Sequence, residues 1–234
     1  MKKLIVAIGI GTFSSLLSAQ QAFDGFYTQI GIGYESAKAT SSNSQQVFAN
    51  DPTNIMPITA TIGTINTFTQ NIGIGYTAKL TDKFFLGIGA DYNPLESQSA
   101  NYALYNASSG GTANNSYLKT NTYNIFLSPG YAFSPSSLGY VKVGYSSTQL
   151  KQTAGSDSVA PGQVDRVNLN GYVLGAGYKQ FIMRNLYAFT EANYTSYSST
   201  NSTSVSPYSG TTSTTTGKIG LNSYNLLVGL GYKF

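Results

Sequence analysis

A strict two-residue alternation in the last twelve residues, Ser223–Phe234, constrains this fold more than any other feature. Tyr224, Leu226, Val228, Leu230, Tyr232 and Phe234 share one face, and Asn225, Leu227, Gly229, Gly231 and Lys233 share the other. Successive side chains of a strand point to opposite faces, so the segment is a ribbon with one apolar side. That side carries aromatic rings near both ends and aliphatic residues between them. A strand that meets lipid at its middle and headgroups at its ends has this pattern.

The same template recurs at residues 26–34, 67–79, 83–92, 122–133, 138–146, 168–179 and 186–194. In the segment 122–133, Pro129 has no N–H to give a ladder and predicts a bulge or local break. Short segments at 80–82, 134–137 and 180–185 alternate with long polar stretches at 38–66, 93–121, 147–167 and 195–222. The expected fold is therefore all-β: an eight-stranded antiparallel up-and-down transmembrane β-barrel, with four long extracellular loops and three short periplasmic turns. Its last strand should close the barrel on residues 26–34. A soluble lipocalin-like barrel would show similar alternation with its apolar face inward. Aromatic strand ends, one-sided loops and the terminal Phe argue against it.

Ring spacing supplies a thickness. Phe26 and Tyr34, Phe68 and Tyr76, Phe84 and Tyr92, Tyr123 and Tyr131, and Tyr224 and Tyr232 are each eight residues apart. Eight residues at about 3.3 Å each span roughly 26 Å along a strand, or about 20 Å of height at a 40° tilt. With the rings added, this approaches the apolar band of about 25 Å between the aromatic girdles of outer-membrane barrels.

Composition agrees with this reading. Charged residues are 9 % of the chain, against about 25 % in ordinary soluble domains. Mean hydropathy is nevertheless only −0.10, because Ser, Thr, Asn, Gln and Tyr supply the polarity. Residues 1–19 read as a cleaved export signal, with Lys2 and Lys3 before an apolar run and Leu17-Ser18-Ala19 as the cleavage site. Residues 20–234 are then the barrel. Without those lysines the side-chain charge is about +2, too weak to argue for nucleic acid. With no Cys, the exported form depends on ladder closure and packing.

The chain resembles the small eight-stranded outer-membrane barrels of Gram-negative bacteria, the OmpA-like and opacity-type (porin-family) surface proteins. The architecture carries the resemblance over the whole mature chain; motif evidence is confined to the export signal and the last strand. It implies residence in the outer membrane, with membrane lipid as the surrounding partner. It also implies that Phe234, Tyr232, Leu230, Val228 and Leu226 form the signal read by the barrel-assembly machinery. OmpA itself continues into a peptidoglycan-binding domain. Here the sequence stops at Phe234, so a wall-tethering role is not implied.

The sequence has no His and no Cys. Ser-His and Asp-His chemistry cannot be assembled, and thiolate metal sites are excluded. Asp51, Asp157 and Asp165 fall in polar stretches without calcium-loop spacing. No catalytic residue, metal or cofactor is expected. On the inward rows, Lys142, Glu191, Gln29, Asn71, Asn124 and Asn193 are expected to form a polar lumen network, because buried charge must be paired and hydrogen-bonded. Eight strands leave an interior that side chains can fill. Phe126, Tyr187 and Phe189 are candidates to fill space left by inward glycines. The expected role is structural or surface-interacting, with a possible host or surface ligand at the outer polar segments. The alternative is a small nonspecific solute channel.

Overall fold

Pairing follows the apolar faces. The computed structural model describes residues 23–106, 110–158 and 160–234. The proposed export signal, residues 1–19, lies outside the described residues. Ten strands follow in order: β1 (Gly25–Phe48), β2 (Asp51–Ile62), β3 (Thr64–Lys79), β4 (Phe84–Asn93), β5 (Ala100–Asn106), β6 (Gly111–Ser134), β7 (Ser137–Ala154), β8 (Val164–Phe181), β9 (Leu186–Tyr208) and β10 (Thr211–Lys233). At membrane height, β1, β3, β4, β6, β7, β8, β9 and β10 are neighbours in that order, and β10 returns to pair with β1. These eight staves form a closed antiparallel barrel, which leaves no free edge in the lipid.

Register places like with like. Ile30 stands between Ile72 and Leu230, so aliphatic residues meet at mid-height. In the upper girdle Tyr34 faces Phe68, Tyr92 faces Tyr123 and Tyr194 faces Tyr224. Phe26 faces Tyr76 and Phe84 faces Tyr131 in the lower one. These rings point outward, with Tyr131 and Tyr194 half-buried among their neighbours and the others exposed. Pro129 produces the local break: it faces Leu86 on β4, while the β6–β7 ladder skips from Leu127 to Gly130 without a register change.

The long polar stretches differ from the loops expected of them. Most of their length is strand. β1 runs on to Phe48, β7 to Ala154 and β9 to Tyr208, each well past the aromatic girdle. Two outer connections shrink to Ala49–Asn50 and Ser209–Gly210, and at the other two the flanking strands end at Asn106 and Gly111 and at Ala154 and Val164. Ser209 and Gly210 have φ of 43° and 79°, the geometry that lets a two-residue hairpin follow the twist of its strands. β2 and β5 continue β3 and β4 upward, pairing with β1, with each other and with β6. The rim is thus built of eight strands as well. At Gly63, between β2 and β3, an added Cβ would lie 2.7 Å from the Asn101 carbonyl oxygen, which explains a glycine at this joint.

One seam interrupts the rim. The β8–β9 ladder ends at Gly171–Tyr197. Above it, the rest of β8 pairs with β7 alone and the rest of β9 with β10 alone. The cause is a bulge on β9 between Tyr197 and Thr200. The extra residue bends the strand and reverses which side chains face inward: Asn193, Thr195 and Tyr197 point in below it, Ser204 and Ser206 above it.

Inside the barrel, side chains stack in layers. Phe23, Phe85 and Leu138 lie lowest, followed by Tyr27, Tyr187, Phe189 and Leu227. A charged layer comes next, and above it an apolar layer that includes Ile65, Tyr117, Leu150, Leu169 and Leu221. Large rings rest on backbone without side chains. Phe189 lies against Gly31 and Gly229, and a Cβ at Gly231 would come within 2.1 Å of the Tyr187 ring. Phe126 packs over Gly89 in the same way.

Candidate functional site

The charged layer crosses the lumen. Asp91 on β4, Lys142 on β7 and Glu191 on β9 belong to staves that are not neighbours, so their side chains meet over the barrel axis. Alternation sends each of them inward. Lys142 Nζ lies 2.6 Å from Asp91 Oδ2 and 3.0 Å from Glu191 Oε1. The remaining carboxylate oxygens are also engaged: Tyr140 donates its hydroxyl to Glu191 Oε2 at 2.7 Å, and Asn124 Nδ2 donates to Asp91 Oδ1 at 2.5 Å. Asn193 Nδ2 adds a second donor to Glu191 Oε1 at 2.8 Å. The Lys142 ammonium also sits 4.2 Å from the centre of the Phe126 ring, a favourable place for a desolvated cation. Burying three ions is tolerable only with this degree of satisfaction.

Two further lysines complete the layer. Lys179 Nζ lies 4.0 Å from the Tyr27 ring centre and 5.1 Å from those of Tyr140 and Tyr187, so three aromatic faces surround it. Higher up, Lys119 pairs with Glu35, which also accepts a hydrogen bond from Ser223. Buried Lys119, Lys142 and Lys179 therefore share the lumen with buried Glu35, Asp91 and Glu191, and their formal charges cancel. Between the two networks lies a void of about 10 Å³, the size of about one water. Asn124 Oδ1 and Asn193 Oδ1 line it as buried acceptors without a hydrogen-bond partner.

Four of the six residues expected in the lumen join one network: Lys142, Glu191, Asn193 and, through Asp91, Asn124. Gln29 lies lower, accepting a hydrogen bond from Tyr187 at 3.1 Å. Asn71 lies to the side, donating to Asn93 at 3.3 Å. Asp91 is absent from the expected network, although it lies on the inward row of its strand. Lys179, at the end of a strand, Glu35 and Lys119 are likewise absent from it. Lys119 fell in a polar stretch where no alternation assigned a face. Of the three aspartates in the polar stretches, Asp51 begins β2, Asp165 lies in β8 and Asp157 lies between strands; Asp51 accepts from Thr53, Asp157 from Asn114 and Asp165 from Ser204. The Asn114 amide holds the Asp157 carboxyl below the usual range. Among the described residues, no three Asp, Glu, His or Cys side chains gather as a metal site.

A closed antiparallel barrel with lipid-facing aliphatics, aromatic girdles and an interior filled by large side chains and paired charges defines a small outer-membrane barrel. The chain belongs to the family of outer membrane protein beta-barrel domains, whose model matches residues 5–234. Its location is the Gram-negative outer membrane. Among solved structures, Ail of Yersinia pestis is similar at 12 % identity, with 90 % of this chain and 99 % of that one covered and a TM-score of 0.43. Neisserial surface protein A is 19 % identical, with 90 % and 98 % covered and a TM-score of 0.46. OprG of Pseudomonas aeruginosa is 15 % identical, with 90 % and 96 % covered and a TM-score of 0.48. A search of curated protein sequences gives no match.

Proposed function

We propose that this protein is a closed, non-conducting barrel with no enzymatic role, and that its outer strand extensions carry surface interactions. The observation behind this reading is the succession of layers across the lumen. Tyr187 and Phe189 fill the lower half, the Lys142 network spans the middle, and Leu150 and Leu169, both with no exposed surface, close the top. An ion crossing this path would have to break buried, mutually satisfied ion pairs. Planar-bilayer recordings of the purified barrel are expected to show no conductance steps. Stable, reproducible steps would replace this reading with that of a small solute channel.

The last strand is proposed to serve as the assembly signal, through Phe234, Tyr232, Leu230, Val228 and Leu226. All five are exposed, four on the strand that closes the barrel and Phe234 directly after it. Deleting Phe234 is expected to lower the surface level of folded protein more than removing three residues from the 155–163 connection. Equal surface levels, measured by protease shaving of intact cells, would refute the assignment.

A further inference from the structure

Above the apolar layer the barrel opens outward into a cavity of about 130 Å³. A cavity of about 150 Å³ holds a benzene ring, so the scale here is one six-membered ring. Ile62, Tyr102, Leu104, Tyr117 and Ile219 are the large apolar residues of its lining. The rings of Tyr102 and Tyr117 meet edge to face with centroids 6.1 Å apart. The Tyr117 hydroxyl is already committed, donating to the Gly63 carbonyl at 2.6 Å and accepting from the Ala39 N–H.

The walls have a different chemistry. Tyr102 donates its hydroxyl to Gln152 Oε1 at 3.2 Å. Burial, with the Asp165 charge nearby, pushes that phenol up to about 12, so it remains a donor. Gln152 is thereby oriented with its Nε2 buried and without a hydrogen-bond partner. A buried donor left unpaired is costly, and a ligand acceptor would relieve it. Asp165 is held in place by Ser204 at 2.6 Å and Gln163 at 3.3 Å. Its two oxygens still have lone pairs to spare. Asp165 and Lys218 are the charged residues of the lining and balance each other; most of the rest are Ser, Thr, Asn and Gln.

We propose that this cavity binds one neutral pyranose ring of a surface glycan. Such a ring has a flat C–H face to lay on an aromatic floor, acceptor oxygens for Gln152 and hydroxyl donors for Asp165. A purely apolar guest would leave Gln152 unpaired, and an anion would gain nothing from a lining whose Asp165 and Lys218 charges cancel. The inference rests on the reading of a surface-interacting barrel and names the ligand of its outer end. Its test is independent of conductance, so either can fail alone.

The test uses the refolded full chain in a phosphocholine detergent, which carries no sugar. Saturation-transfer NMR is run with the methyl β-glycosides of glucose, galactose and N-acetylglucosamine, and with glucose 6-phosphate as the anionic probe. At least one neutral glycoside is expected to receive saturation, strongest on its ring C–H protons. Its apparent Kd should rise at least about ten-fold in Gln152→Leu, and its signal should vanish in Ala60→Phe, which fills the cavity. Retained band mobility on unheated gels shows that both variants are folded. No signal from any neutral glycoside at millimolar concentration would overturn the proposal. So would binding unchanged in both variants, or tighter binding of the phosphate. A longer glycan of the responding sugar, run in parallel, is expected to bind at least as well as the monosaccharide; weaker binding would overturn the assignment to a glycan terminus.

Discussion

Replacing Lys142 with methionine is expected to destabilise the folded barrel by about 3–5 kcal/mol, the usual effect of removing one member of a buried ionic group. The size follows from what stays behind. Asp91 and Glu191 are both buried and converge on the ammonium, at 2.6 and 3.0 Å. Without it two carboxylates face each other out of water, held only by Asn124, Tyr140 and Asn193. Urea titration in detergent, read from the mobility difference between folded and unfolded bands, measures the change. The triple variant Asp91→Asn, Lys142→Met, Glu191→Gln removes every charge of the group and is expected to recover most of the loss. If the single variant matched the parent, the network would not be what secures the lumen.

Ile72→Arg is the second large effect, expected at about 2–4 kcal/mol. Ile72 is outward, 48 % exposed and midway between Phe68 and Tyr76 on β3. At that height a guanidinium lies at the bilayer midplane with no lumen to turn into. Ile55→Arg is the control. Ile55 is more exposed, at 58 %, but it lies on β2 in the strand extension. There an added charge meets water and should change stability by less than about 0.5 kcal/mol. The same urea titration reads both, and equal effects would mean that the aromatic girdles do not mark the membrane boundaries.

The contrast between these isoleucines also explains what the sequence could show. Hydropathy alternation reveals a strand only where its two sides face different media. Between the girdles one side is lipid and the other a packed lumen, so residues such as Ile30 against Gly31 declare both the strand and its orientation. Beyond the girdles the outer side is water and the inner side a polar cavity. The alternation then vanishes while the strand persists, as in Thr211–Lys218, where Ser and Thr occupy both faces. A signal remained in those residues: a run of β-branched Thr favours extended backbone. Alternation assigned a side to Lys142 and Glu191 and made them legible as lumen charges; Asp91 carried the same signal and was passed over. Which of them meet depends on strand tilt and stagger, which relate distant staves, and period alone does not supply these.

The seam between β8 and β9 gives the molecule an uneven mechanical character. Below Gly171–Tyr197, adjacent staves are tied by repeated backbone bonds, and moving one means unzipping a cooperative ladder. Above it, β7–β8 and β9–β10 are joined by the side chains of Gln163, Asp165, Ser204 and Ser206. Side-chain hydrogen bonds of this kind are independent of one another, and these contacts can be exchanged one at a time. The barrel is therefore a stiff cylinder carrying a split collar. Its compliance is concentrated at the rim just above the membrane, and the girth of the outer cavity can change while the lumen beneath it stays rigid.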